Sequence, residues 1–276
     1  MNKITVLFSL YMLAFGAYAE TESDVSELYR LSGLKTQVEQ FRGVIKTTIN
    51  NSKQETKLSD EERKAFAKVY DKVFEPQQLQ PVVMDALRSN LQADDIKKIL
   101  AWLRSPTGQK ITQVEAASTS AEGYQDMLEY AQTLASNPPD EAYINKMSEL
   151  AGNTNMFESA VNMALKIQLA LMASAAAASS DFSVEQFNQL AQQLQAAKPA
   201  IAEKVTQITM LSLLYTYKDL PATDLDPYIA FTATPVGRKF NTVTMDALND
   251  AMVHASKQLG VELVKLGQDM RKKQKS

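Results

Sequence analysis

Apolar residues recur at intervals of three and four along most of the chain, which is the spacing of one face of an α-helix. Two stretches show this spacing clearly, the first at Ile96, Ile99, Leu100 and Leu103 and the second at Phe157, Val161, Leu165, Leu169 and Met172. Apolar and polar residues do not alternate with a period of two over any useful length, and the hairpin dipeptides Asn-Gly and Asp-Gly do not occur. The pattern predicts an all-α protein.

The predicted helices have recognisable starts and breaks. A capping box, in which a serine hydroxyl and an acidic or amide side chain satisfy free backbone amides, fits the segments that begin at Ser59 and Ser183. Only 9 glycines and 9 prolines interrupt the 276 residues. Pro138 and Pro139 stand together, and because neither can continue a helix, they predict a break between two halves of the chain.

Residues 1–19 have the pattern of a bacterial export signal. Lys3 supplies a positive start, residues 4–15 are mostly apolar, and Ala17-Tyr18-Ala19 fits the small-residue cleavage pattern. The apolar run is too short for a membrane span of ~20 residues, and no cysteine follows that could carry a lipid. We therefore expect cleavage after Ala19, a mature chain without a transmembrane segment, and a periplasmic location, with secretion as the alternative.

The two halves contain similar segments in the same order. Residues 91–110 align without gaps with residues 220–239, and the identical pairs are Leu91/Leu220, Ala93/Ala222, Asp95/Asp224, Ala101/Ala230, Pro106/Pro235, Gly108/Gly237 and Lys110/Lys239. The two capping boxes also pair, as do residues 31–33 with residues 150–152. Three ordered matches predict two tandem copies of one helical-bundle unit. The predicted organisation is a signal peptide (1–19), two helical repeats (20–137 and 138–270) and a basic tail (271–276).

Each predicted repeat contains a sharp corner with the same residue types. Its residues are Ser105, Pro106, Gly108 and Lys110 in the first repeat, and Thr234, Pro235, Gly237 and Lys239 in the second. Proline fits the first turn of a helix, and the hydroxyl before it can cap that helix. The glycine is expected to allow close approach of a neighbouring helix. We interpret the corner as architectural; the alternative is an anion site at the helix N-terminus beside the lysine.

Residues 100–110, Leu-Ala-Trp-Leu-Arg-Ser-Pro-Thr-Gly-Gln-Lys, resemble the signature of a bacterial exported domain of unknown function. In that family a helix ends in an aromatic pair followed by Ser-Pro-x-Gly-x-Lys, and residues 31–33 are similar to its upstream Leu-x-Gly segment. The resemblance covers about residues 25–120 and, more weakly, 143–255. This chain departs from the pattern at Leu103, Thr234 and Arg238. The resemblance implies a small helical periplasmic domain and brings no catalytic residues.

Composition and charge exclude several kinds of function. The chain has no cysteine and one histidine, His254, which excludes disulfides, thiol catalysis, zinc–thiolate and iron–sulfur sites and multi-histidine metal sites. The net charge of −3 argues against nucleic-acid binding. Neither a nucleophile elbow nor a glycine-rich phosphate loop occurs. We therefore expect no enzyme and no cofactor.

These observations favour a non-enzymatic protein-interaction or structural module of the bacterial envelope. The alternative is a carrier of a lipid or other apolar ligand in a groove between the repeats. The apolar, alanine-rich residues 167–180 fit either a groove wall or a closely packed core helix. The basic tail fits either a solvated end or a contact with anionic lipid or wall polymer. A wall-cleaving enzyme with paired carboxylates is a third hypothesis.

Overall fold

The all-α prediction is confirmed, because every regular element in the described part of the chain is a helix. The structure is a computed structural model, and it describes residues 22–51, 60–178 and 184–274. Residues 1–19, Ser59 and Ser183, on which the signal peptide and both capping boxes were predicted, lie outside these ranges. So do the last two residues of the basic tail.

The helices follow one another through short connections. In chain order they are α1 (residues 22–31), α2 (Leu34–Asn51), α3 (Asp60–Val73), α4 (Pro76–Asn90), α5 (Ala93–Leu103), α6 (Pro106–Ser118), α7 (Ala121–Thr133), α8 (Glu141–Asn153), α9 (Met156–Ala178), α10 (Val184–Thr216), α11 (Ala222–Ala233) and α12 (Pro235–Gln274). Pro138 and Pro139 lie in the connection between α7 and α8, where the helical pattern was expected to break.

Two turns of the same form end α1 and α8, and they correct one part of the sequence alignment. Gly33 follows α1 with φ of +78°, and Asn155 follows α8 with φ of +51°. In both turns this left-handed residue donates its backbone N–H to a carbonyl three residues earlier, on Arg30 or Gly152. The alignment paired Gly33 with Gly152, which is wrong, because Gly152 lies inside α8 and Asn155 occupies the equivalent conformation.

The apolar side chains form two cores. The larger one is built by α1 to α5, with Leu28, Leu79 and Ile99 fully buried, and the smaller one by α8, the end of α10 and α11, with Met147 and Leu150 fully buried. These cores do not coincide with the two sequence segments divided at Pro138.

Two helices cross between the cores. α12, 40 residues and about 60 Å long, belongs to the second segment, yet Phe240, Val243, Ala247, Ala251 and Ala255 are buried in the larger core. α6 belongs to the first segment, yet its Ile111 is buried in the smaller core. Small side chains one turn apart let α12 lie close to the helices it packs against.

α6 and α12 each begin at a sharp corner of the chain. The corner before α6 follows α5, and the corner before α12 follows α11. Ser105 caps α6 by accepting a hydrogen bond from the Gly108 N–H at 3.0 Å, with Pro106 in the first helical position. Thr234 caps α12 in the same way, accepting from the Gly237 N–H at 3.0 Å. Each corner therefore begins a new helix in a new direction without leaving these amides unpaired.

Glycine is required at both corners by the end of the preceding helix. A Cβ on Gly108 would lie 2.2 Å from the carbonyl oxygen of Trp102, and one on Gly237 would lie 2.0 Å from that of Phe231. The neighbouring helix that Gly108 admits is α5, whose last turn immediately precedes the corner.

Substitution at the corner glycines should destabilise the fold. We expect Gly108→Ala and Gly237→Ala each to lower the free energy of unfolding by about 2–3 kcal/mol, because a backbone carbonyl must move to accept the methyl group. Gly152→Ala is the matched control, since a Cβ there meets nothing within 4 Å, and it should raise stability by about 0.5–1 kcal/mol. Urea unfolding measures all three, and equal effects at the three sites would contradict this account of the corners.

Candidate functional site

The two cores meet at a stack of aromatic rings. Trp102 at the end of α5 lies flat against Phe231 at the end of α11, with ring centroids 4.6 Å apart and planes 8° from parallel. Tyr228 of α11 also lies parallel to Trp102, at 6.3 Å. Trp102 packs against both cores. The stack therefore fixes the position of α5 relative to α11.

Two ion pairs also cross the junction, one from α6 to α11 and one from α12 to α5. Lys110 of α6 pairs with Asp224 of α11, and Lys239 of α12 pairs with Asp95 of α5 at 2.5 Å. The hydrogen bond from Lys239 holds the pKa of the Asp95 carboxyl below its ordinary value. Both corner lysines are thus bound by carboxylates across the junction, which supports the architectural interpretation of the corner over an anion site.

A cavity of about 220 Å³ lies at this junction. Eight of its lining residues form four pairs that have the spacing of the aligned corners, namely Trp102/Phe231, Ile111/Phe240, Thr112/Asn241 and Glu115/Thr244. The turn after α1, the start of α9 and the end of α10 complete the wall with Ser32, Met156 and Leu213. The cavity is therefore bounded by apolar and aromatic side chains together with hydroxyl, amide and carboxyl groups, and such groups can orient a small molecule.

One carboxyl group dominates the chemistry of the cavity. Glu115 of α6 accepts hydrogen bonds on a single oxygen, Oε1, from the hydroxyls of Tyr217 at 2.6 Å and Tyr228 at 2.8 Å. Burial raises the pKa of the Glu115 carboxyl, and the two phenol hydrogen bonds oppose that rise. Burial, followed by the nearby Glu115 charge, raises the pKa of both tyrosines well above the ordinary value.

A second polar group in the wall lacks a hydrogen-bond partner. The side-chain nitrogen Nδ2 of Asn241, in the first turns of α12, is buried and donates to nothing among the described residues. An unsatisfied buried amide costs free energy unless a ligand or water meets it. Two polar atoms of the cavity wall thus make no hydrogen bond to the described residues: the acceptor Oε2 of Glu115 and the donor Nδ2 of Asn241.

A smaller polar cleft lies outside the junction, between α9 and α12. It measures about 180 Å³, and Asn162, Lys166, Asp246 and Asn249 are among its lining residues. Asn249 is 7% exposed, and its Oδ1 accepts no hydrogen bond within the ranges that the structure covers. Asp246 is an exposed carboxylate separate from the central cavity, which makes it a useful control position.

The described residues also bear on a histidine site, a metal site and a membrane-spanning helix. His254 is exposed on α12, and its Nε2 lies 2.8 Å from the side-chain nitrogen of Gln258 one turn away. Within residues 22–51, 60–178 and 184–274, no group of three or more His, Cys, Asp or Glu side chains could hold a metal ion. No helix in those ranges is long and apolar enough to cross a membrane.

Sequence reasoning missed the residues that give the cavity its chemistry. Glu115 stands in a stretch of Gln, Val, Glu and Ala that is typical of a polar helix face, and Tyr217 and Tyr228 join it from more than 100 positions further along the chain. No local spacing connects them. The one available signal was the alignment itself, because it places Tyr228 opposite Ile99 and Glu115 opposite Thr244.

The buried Glu115 carboxyl should make stability depend on pH. Because its folded pKa is raised, the folded protein keeps a proton that the unfolded chain loses above the ordinary value of 4.5. The free energy of unfolding should therefore fall as pH rises above about 4.5, until the pH passes the raised pKa of the folded protein. In Glu115→Gln this fall should be smaller, so the variant gains stability relative to the parent as pH rises. Urea unfolding across this range tests it; Asp246→Asn controls for the lost charge, and parallel curves for parent and Glu115→Gln would contradict the argument.

Comparison with known proteins gives one match. A family model described as an uncharacterised protein conserved in bacteria, DUF2059, matches residues 77–137. This stretch includes α5, the first corner, α6 with Glu115, and α7. No curated protein and no solved structure matches the chain. Over residues 77–137, the chain is therefore similar to an uncharacterised bacterial family.

Proposed function

We propose that this protein is an exported, non-enzymatic binding protein of the bacterial envelope, which holds a small ligand in the cavity between two related halves. The observation that carries the proposal is the cavity at the Trp102–Phe231 junction, with the Glu115 carboxyl in its wall. Export rests on the pattern of residues 1–19, which has the charge, apolar run and Ala-x-Ala ending of a cleaved signal.

The two halves are proposed to be copies of one unit that exchange a helix. Three observations support this: equivalent rings stack on each other, equivalent Lys and Asp residues form reciprocal ion pairs, and both members of several equivalent pairs line the cavity. Contacts of this kind, in which i meets j and j meets i, are those of a two-fold symmetric interface. The family signature, with Ser105-Pro106 in one half and Thr234-Pro235 in the other, would then occur twice.

A binding role is supported over catalysis by the make-up of the cavity. Among its described lining residues, Glu115 is the one carboxyl group, and no Lys, Arg or His lies beside it. Paired carboxylates, which glycoside hydrolysis requires, are therefore missing from this wall. Hydrogen bonds from Tyr217 and Tyr228 hold the Glu115 carboxyl in place, as a recognition group requires.

The volume of the cavity limits the size of an apolar ligand that it could hold. Pockets for drug-sized molecules measure roughly 300–1,000 Å³, and this one measures about 220 Å³. A molecule with one aromatic ring or a short aliphatic chain fits that volume, whereas a two-chain lipid does not. The proposal is thus a small-ligand carrier rather than a lipid carrier.

A protein-interaction module is the second candidate, and a different surface favours it. Leu169 on α9 and Leu190 and Ile208 on α10 are 38%, 39% and 47% exposed. Most of α10 between residues 188 and 208 faces solvent. Large apolar side chains on a long exposed helix are suited to packing against another helix, and this surface is independent of the cavity.

Native mass spectrometry of the full chain, expressed with residues 1–19 and purified from the periplasm, tests the leading proposal. We expect a protein that begins at Glu20 and carries a non-covalent ligand of roughly 100–300 Da, the mass that a cavity of this size accommodates. Denaturation should release the ligand. A bare chain at every collision energy would contradict the carrier and favour the interaction module, and retention of residues 1–19 would contradict export.

A further inference from the structure

We propose that the central cavity binds a small organic ammonium ion that also carries a hydroxyl or carbonyl oxygen. The inference rests on the proposed ligand-binding function and specifies the ligand for the same site. Four properties of the wall support it: its charge, the arrangement of hydrogen bonds on Glu115, its aromatic rings and the unpartnered amide of Asn241.

The charge of the wall favours a cation. Glu115 is the one described lining residue whose side chain can carry a negative charge at neutral pH, and no basic side chain of the wall offsets it. A buried carboxylate without a counter-charge is costly. A ligand ammonium group supplies the missing positive charge, whereas an anionic ligand would add a second negative charge beside the first.

The hydrogen bonds on Glu115 direct the ligand to one atom. Both phenol hydroxyls donate to Oε1, and they occupy the two lone pairs of that oxygen. Short hydrogen bonds of 2.6 and 2.8 Å from hydroxyl groups stabilise negative charge on a carboxylate. Oε2 is the oxygen left to accept hydrogen bonds from an ammonium group.

The aromatic rings and Asn241 indicate which other groups the ligand carries. Trp102, Tyr228, Phe231 and Phe240 all line the cavity, and ring faces attract organic cations as well as apolar carbon. The buried Nδ2 of Asn241 is a donor without an acceptor. A hydroxyl or carbonyl oxygen on the ligand would accept that hydrogen bond.

The proposed repeat provides an internal comparison that separates ligand recognition from folding. At the positions equivalent to Tyr228 and Glu115, the other half has Ile99, which is fully buried, and Thr244. The aligned positions thus hold an apolar and a neutral side chain in place of a phenol and the carboxyl group.

Binding of such a cation should depend on pH, because the carboxyl must be ionised to pair with it. The titratable groups that face Glu115 are Tyr217 after α10 and Tyr228 of α11. The neighbouring helices present neutral groups to the cavity: Gln37 of α2, Trp102 of α5, Ser212 of α10, and Asn241 and Thr244 of α12. The affinity should therefore increase as Glu115 ionises, which occurs above its ordinary pKa of 4.5.

Fluorescence of Trp102, the one tryptophan of the chain, gives a direct binding assay with the whole mature protein. The probes are phenylethanolamine, which has a ring, a hydroxyl and an ammonium group, the uncharged phenylethanol and the anionic mandelate. We expect phenylethanolamine to bind at least about tenfold more tightly than phenylethanol, and mandelate to bind most weakly. The affinity for phenylethanolamine should rise as the pH is raised above about 4.5.

Three variants assign the effect to the site. Glu115→Gln should lose about tenfold or more in affinity for phenylethanolamine and all of its pH dependence, while its affinity for phenylethanol stays within about twofold. Tyr228→Phe, which keeps the ring and removes one hydroxyl, should show a smaller loss. Asp246→Asn removes a carboxylate outside the cavity and should bind like the parent, and circular dichroism verifies that each variant is folded.

Several results would overturn the inference. Equal or tighter binding of phenylethanol or mandelate would show that the site recognises a neutral or anionic ligand, and unchanged binding to Glu115→Gln would remove the carboxyl from recognition. Failure of all three probes to alter Trp102 emission would also overturn it. The co-purified mass decides the proposed function separately: a ligand without an amine would retain the carrier and reject this ligand class.

Discussion

The packing of Trp102 against Phe231 is the contact on which the rest of the structure depends. These rings end α5 and α11, immediately before the two corners, and their separation of 4.6 Å sets where α6 and α12 begin. Because each corner turns the chain across the junction, α12 enters the larger core and α6 enters the smaller one. Both rings are partly buried, so loss of either should cost less than the roughly 3–5 kcal/mol typical of a fully buried aromatic ring. It would also separate the cavity walls.

The polar groups of the cavity wall lower the stability of the folded protein. Glu115 is held in an apolar junction where burial disfavours its charged form, and the phenols of Tyr217 and Tyr228 offset only part of that cost. Asn241 adds a buried donor without a partner among the described residues. Ile99 and Thr244, which the sequence alignment places opposite Tyr228 and Glu115, put neither a phenol nor a carboxyl group at those positions. We explain these costly polar groups by ligand recognition rather than by folding.

Local patterns in the sequence predicted the helices and the corners, because caps, prolines and apolar spacing act within a few residues. Ser105-Pro106 and Thr234-Pro235 begin α6 and α12 for this reason. The pairing of Gly33 with Gly152 was wrong because it matched residue types, whereas the turn depends on a left-handed backbone that Asn155 also adopts. The site could not be predicted, because contacts such as Tyr217–Glu115 join residues 102 positions apart. The helix exchange places them together, and no local spacing encodes that exchange.

The exchange of α6 and α12 between the cores is the central claim, and separating the halves tests it most directly. Residues 20–137 and 138–276 would be expressed as two chains, cut at the connection that holds Pro138, and examined by circular dichroism and thermal unfolding alone and after mixing. Each half lacks the helix that completes its core, so neither should unfold cooperatively alone. The mixture should recover helix content and one cooperative transition. Cooperative unfolding of each half as a separate monomer, with no change on mixing, would contradict the account.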